Sequence, residues 1–251
     1  MVERPTVIIS SDDAVIRILL LGRNTSGKSS SGNTILGEER FKRHKSEVCE
    51  GQAQICGKQV AVIDCPDLLD PALNEEQLEK MKEQLVSGCS AGLSAVLLTV
   101  SLEDPVGNEE EILDYMKCLF GAEVQKYIMI LFTRGDDLQD LDQTIDEHLE
   151  HKDHEDLQRL VTECGGKFHC FNKMKKAKGQ VEDLLQKIEG MMTENGGKFM
   201  MEQMKRNNSK DAPLHFFREE RPDQTGSAGK SADENSMVCR NMFESLTQCD
   251  S

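Results

Sequence analysis

Gly22, Gly27, Lys28 and Ser29 are the residues of this chain whose types and spacing point most directly to chemistry. They punctuate Gly22-Arg23-Asn24-Thr25-Ser26-Gly27-Lys28-Ser29, which fits G-x-x-x-x-G-K-[ST], the phosphate-binding P-loop. Two glycines let the backbone curl until successive N–H groups, from Arg23 to Ser30, converge on one phosphate. A helix opening at Lys28 adds the positive end of its dipole. The Lys28 ammonium is a point charge for β- and γ-phosphates, and the Ser29 hydroxyl is a ligand for Mg²⁺. The rival reading, a plain strand-to-helix turn, accounts for the glycines but not for Lys28 and Ser29.

A second carboxylate and a third loop complete the constellation. Asp64 ends the apolar stretch Val60–Asp64, 36 residues after Lys28, where a Walker-B aspartate holds Mg²⁺ through water. Lys28, Ser29 and Asp64 are therefore the candidate catalytic residues. Thr133-Arg134-Gly135-Asp136 ends another apolar stretch with T-x-x-D. A carboxylate at Asp136 can accept both N1–H and N2–H₂ of guanine, a donor pair that adenine lacks. Taken alone, Asp136 reads equally well as a loop or helix-capping carboxylate.

The elements that must position these residues alternate. Strands are expected at Ile16–Leu21, Val60–Asp64, Ala95–Val100, Ile128–Phe132 and Phe168–Phe171. Helical patterns lie between and after them at Lys28–Leu36, Glu75–Val86, Glu109–Phe120, Glu155–Cys164 and Val181–Met192. Such alternation implies α/β architecture: a doubly wound, mainly parallel sheet with helices on both faces. Ligands of such sheets sit at the carboxyl ends of the strands. Residues 1–13 read as a flexible leader and 14–204 as one nucleotide-binding domain. The polar, Gly/Ser-rich stretch 205–251 reads as a mostly disordered tail. Residues 201–251 carry seven Lys/Arg against nine Asp/Glu, so the acidity belongs to the folded body. Leu214–Phe217 and Met237–Leu246 are candidate docking segments, though a featureless tail is the simpler reading.

Composition excludes other classes. The net charge of −15 argues against nucleic acid as partner. No apolar run approaches the length of a transmembrane helix, and no signal-peptide pattern opens the chain, so a cytoplasmic location is expected. The nine cysteines form no C-x-x-C pair, and most read as small buried apolar residues. His148, His151 and His154 recur every three residues, and a solvated helix face outweighs a metal clamp there. Met191, Met192, Met200, Met201 and Met204 read as core caps before they read as a partner surface.

Several stretches together resemble one family, the septin-related GTPases of immunity-associated proteins (GIMAP, also IAN). Ser31-Gly32-Asn33-Thr34-Ile35-Leu36-Gly37 is close to A-T-G-N-T-I-L-G. Lys126 to Leu138 mirrors K-Y-x-I-x-L-F-T-R-K-D-D-L, and Glu163–Gly166 with Phe171-Asn172 mirrors E-C-G-G and F-N-N. The resemblance covers about residues 14–200 and implies a Ras-like G domain that binds GTP or GDP with Mg²⁺. It implies homodimers or hetero-oligomers of related GTPases, joined through the nucleotide face. It assigns Thr133, Arg134, Asp136 and Asn172 to the base and adds Ser46, three residues before Cys49, as a Mg²⁺ ligand in the first switch.

Three departures qualify that picture. The family's D-T-P-G is Asp64-Cys65-Pro66-Asp67 here, which places a carboxylate beside the γ-phosphate position. Ser46 stands for the switch threonine. The arginine of G-R-[YF]-T-E-E, a finger that can act across a dimer, is Val106. Such a finger is worth about 10³–10⁵ in rate, so slow hydrolysis and a leaning to GDP are expected unless Arg23 or Arg134 substitutes. A slow GTPase switch and a catalytically inactive nucleotide-binding scaffold are the competing functions. A P-loop kinase would need an arginine-rich lid that the sequence does not offer.

Overall fold

The computed structural model describes residues 14–42, 47–104, 106–136, 138, 144–172 and 177–200. The leader, the tail, Ser46, Met201 and Met204 lie outside them. Six strands form one sheet: β1 (Ile16–Leu21), β2 (Cys49–Ile55), β3 (Lys58–Asp64), β4 (Ala95–Ser101), β5 (Ile128–Thr133) and β6 (Phe168–Cys170), in the order β2-β3-β1-β4-β5-β6. All neighbours pair parallel except β2 with β3, so the sheet is mostly parallel with one antiparallel edge. The helices are α1 (Lys28–Leu36), α2 (Glu75–Cys89), α3 (Glu109–Phe120), α4 (Ile145–Glu150), α5 (Glu155–Glu163) and α6 (Ala177–Glu194).

The central strands β1, β4 and β5 are buried at every residue, as strands covered on both faces must be. Leu19, Leu21, Val96 and Leu98 pack one face against Met81 and Leu85 of α2, Leu113 and Met116 of α3 and Leu160 of α5. Ile18, Leu20, Leu97 and Leu131 pack the other against Ile35 of α1 and Leu184 and Ile188 of α6. Met191 belongs to this second core and Met200 is exposed. After α6, Gly197 N–H bonds the Met192 carbonyl, and Phe199 then pairs with Leu93 and packs edge-on against Phe120 and Tyr127.

The expected strands all form, with the last one shortened to Phe168–Cys170. Strand β2, helix α4 and two 3₁₀ turns, Ala122–Tyr127 and Lys152–His154, were not anticipated. Strand β2 reads Cys-Glu-Gly-Gln-Ala-Gln-Ile, too polar to stand out, and it survives because an edge strand needs burial on few residues. Helix α4 is a single short turn set by a capping box in which Thr144 and Glu147 exchange bonds.

Candidate functional site

The phosphate loop joins β1 to α1 at the carboxyl edge of the sheet. Gly22 is at φ +135°, and a Cβ there would stand 2.5 Å from both the carbonyl and the Oγ1 of Thr99. Only glycine fits that approach. The loop is braced from beneath: Ser26 Oγ sits between Thr99 Oγ1 at 2.6 Å and the Arg23 carbonyl at 2.8 Å. Thr99 Oγ1 in turn donates to the Leu21 carbonyl at 2.7 Å. Gly22 and Ser26 therefore shape the loop rather than face its cavity.

Helix α1 begins after Gly27, whose φ is +89°, with no side-chain cap and no acidic residue in its first turn. Helix α2 is different: Asn74 and Gln77 form a capping box and Glu75 and Glu76 sit in the first turn. The positive end of α1 is thus left for an external anion. Lys28 is buried, and its Nζ donates to the Gly22 and Arg23 carbonyls at 2.5 and 2.7 Å. Burial pulls its pKa down, while Asp67, Cys65 and Asp64 oppose that pull in this order. Burial also pushes the Cys65 thiol well up, so the charges facing Lys28 are the two carboxylates.

Ser29 Oγ donates to Asp64 Oδ2 at 2.7 Å, which puts two hard-oxygen ligands side by side below the loop. Among the described residues no group of three or more His, Cys, Asp or Glu side chains could hold a metal ion by itself. Mg²⁺ fits this pair on other grounds, since it keeps several waters and takes one or two protein oxygens plus phosphate. His148 and His154 stack at 3.9 Å with His151 at 6.0 Å from His154, and they form no such group either.

The far end of the cavity is built from the ends of β5 and β6. Thr133 Oγ1 donates to the Ser26 carbonyl at 2.8 Å and so ties this end to the phosphate loop. Asn172 Nδ2 donates to the Gly135 carbonyl at 3.1 Å, and Gly135 N–H bonds the Phe171 carbonyl at 3.0 Å. Gly135 stands where the family motif has lysine, and a Cβ there would meet Cys170 Sγ at 2.4 Å. Asp136 Oδ1 is buried with no hydrogen-bond partner among the described residues. A buried carboxylate oxygen in that condition calls for a donor, and guanine N1–H and N2–H₂ are donors of the right kind.

A cavity of about 490 Å³ spans the two ends. Its walls include Asn24, Thr25, Gly27, Lys28, Ser29, Ser30, Asp64, Thr133, Arg134 and Asn172, together with Ser31, Thr34, Phe171 and Gln180. Of the remaining expected residues, Gly22, Arg23, Ser26 and Asp136 are not on its walls, and Ser46 lies outside the described residues.

Arg23 and Arg134 each engage a carboxylate. Arg23 Nε bonds Glu109 Oε1 at 2.6 Å, and Glu109 is fully buried with its other oxygen on the Gly107 N–H. Arg134, at φ 62°, pairs with Glu103. Val106 packs on the core. The engagement of Asp67 is equally specific: it accepts the Asn24 N–H at 2.9 Å. The sequence marks Asp67 as a departure from D-T-P-G but carries no sign of its partner.

A P-loop after the first strand of a doubly wound sheet, with T-x-x-D at the end of β5, defines a Ras-like G domain. The AIG1 family profile matches residues 16–219, and the chain belongs to the AIG1 family. It is 31% identical over 210 residues to immune-associated nucleotide-binding protein 9 of Arabidopsis thaliana, covering 79% of this chain and 61% of that protein. It is 32% identical over 194 residues to GTPase IMAP family member 8 of Homo sapiens, covering 73% of this chain and 29% of that one. The chain therefore spans less than two thirds of the length of each. In fold it is similar to Toc33 of Arabidopsis thaliana in complex with GDP and Mg²⁺, at a TM-score of 0.55 and 15% identity, covering 76% of this chain and 89% of that one.

Proposed function

We propose that this domain binds guanine nucleotide with Mg²⁺ and acts as a nucleotide-dependent switch or assembly module with weak GTP hydrolysis. One observation carries the reading: an uncapped helix N-terminus, a buried lysine and a serine–aspartate oxygen pair meet at one end of a cavity whose other end is tied to T-x-x-D. The family supports guanine, since relatives are named GTPases and immune-associated nucleotide-binding proteins. A solved neighbour holds GDP and Mg²⁺. The roles proposed are phosphate and Mg²⁺ binding for Gly22 to Ser30 with Asp64, and base recognition for Thr133, Arg134, Asp136 and Asn172.

Weak hydrolysis follows from charge. Phosphoryl transfer depends on positioned positive charge at the γ-phosphate. Arg23 and Arg134 are held by Glu109 and Glu103, and Asp67 adds a carboxylate. Those same contacts favour the second reading, a scaffold that binds nucleotide without useful turnover. Assembly through the nucleotide face is part of the proposal; a Toc33 neighbour is described as a dimerisation-deficient mutant. A cytoplasmic location is proposed too, and among the described residues no helix is long and apolar enough to cross a membrane. Phosphate release from GTP at rising protein concentration separates the readings. A slow rate above the Lys28→Ala background supports the switch, and a rate equal to that background supports the scaffold.

A further inference from the structure

The segment after β3 closes on the phosphate loop through two carboxylates. Asp67 Oδ2 accepts the Asn24 backbone N–H at 2.9 Å, and its Oδ1 accepts the Leu69 N–H at 3.1 Å. The second bond is an Asx turn, which fixes the carboxylate from its own side of the contact. Asp70 Oδ2 accepts from Asn24 Nδ2 at 2.9 Å, so both polar groups of Asn24 that point this way are taken. Asp67 is 8% exposed, and its charge sits largely out of water.

The Asn24 N–H is one of the donors that a P-loop turns toward phosphate. Lys28 fixes its place along the cradle, because Nζ rests on the carbonyls of the two residues just before Asn24. A P-loop lysine reaches the β- and γ-phosphates, so this is the terminal-phosphate end. An anion belonging to the protein already stands there.

We propose that Asp67 is a specificity-determining residue whose carboxylate takes the place of a terminal phosphate, so that the loop binds a nucleoside diphosphate in preference to the triphosphate. The inference rests on the nucleotide reading of the cavity. A diphosphate leaves the Asn24–Asp67 bond intact. A triphosphate must break it and bring more negative charge against a buried carboxylate, where repulsion is poorly screened. Glycine, the family's residue at this position, would present neither obstacle.

The test is calorimetric titration of the 251-residue chain with GDP and with the non-hydrolysable analogue GMPPNP, both with Mg²⁺, for wild type, Asp67→Gly and Asp67→Asn. Wild type should bind GDP at least roughly tenfold more tightly than the analogue. Both variants should keep GDP affinity and tighten the analogue by roughly 10–100-fold, the range set by one charge-assisted bond. Equal wild-type affinities, or a ratio unchanged in both variants, would overturn the inference while leaving the nucleotide reading intact. Binding of neither nucleotide by any of the three proteins would overturn both. Should Asp67→Gly lose GDP binding through misfolding, the ratio in the near-isosteric Asp67→Asn decides.

Discussion

The hydroxyl of Ser29 donates to Oδ2 of Asp64 at 2.7 Å, although the two residues stand 35 apart in the chain. The parallel pairing of β1 with β3, with Leu20 opposite Asp64, brings them together. If this pair holds Mg²⁺, nucleotide affinity should drop roughly tenfold or more when the metal is chelated, as expected for one lost charge-assisted contact. Ser29→Ala and Asp64→Asn should remove that difference. A chelator effect that persists in both variants would place the metal elsewhere.

Gly22 sets the shape of the loop by leaving room for Thr99. Gly22→Ala combines a left-handed φ with a 2.5 Å clash against the Thr99 carbonyl. We expect a loss of about 2–4 kcal/mol in urea unfolding. A loss under about 0.5 kcal/mol, the size of an ordinary surface change, would mean the loop relaxes freely.

Glu109 is a structural partner for Arg23. Its side chain is fully buried, and it accepts from the Arg23 guanidinium and from the Gly107 N–H. Glu109→Gln keeps the shape and removes the charge, and should destabilise the fold by about 1–3 kcal/mol. A faster phosphate release in this variant would show instead that Glu109 restrains a usable finger.

His169 sets a pH dependence. It is buried on β6, and burial, with Lys187 adding to it, holds its pKa down to about 4 from an ordinary 6.5. The unfolded chain therefore takes up the proton first as pH falls. Its contribution is complete above about 6.5 and is lost progressively toward 4, at most about 1.4 kcal/mol per pH unit and about 3 kcal/mol in all. Denaturant unfolding between pH 4 and 7 should show this slope, and His169→Gln should flatten it. Equal slopes in the two proteins would remove His169 as the cause.

Much of this was legible beforehand because the signals are local. The P-loop is a contiguous motif, and the apolar runs of β1, β4 and β5 are long enough to name themselves. Strand β2 was not legible, since Glu50, Gln52 and Gln54 face water and only tertiary pairing with β3 makes a strand of them. The same holds at the site. Asp67 and Val106 could be flagged as unusual residues, but that Asp67 reaches Asn24 and Arg23 reaches Glu109 depends on contacts 43 and 86 residues apart. The crowding that would bar a Cβ at Gly135 likewise comes from Cys170, on another strand.

The most direct test of the account is titration of GDP and ADP, each with Mg²⁺, into the wild-type chain, Lys28→Ala and Asp136→Ala. The account predicts that wild type binds GDP and discriminates against ADP by roughly 10–100-fold or more, since Asp136 Oδ1 is left unpaired by adenine. Lys28→Ala should lose binding of both, and Asp136→Ala should lose the discrimination. Equal binding of GDP and ADP by wild type, or GDP binding indifferent to Lys28→Ala, would contradict it.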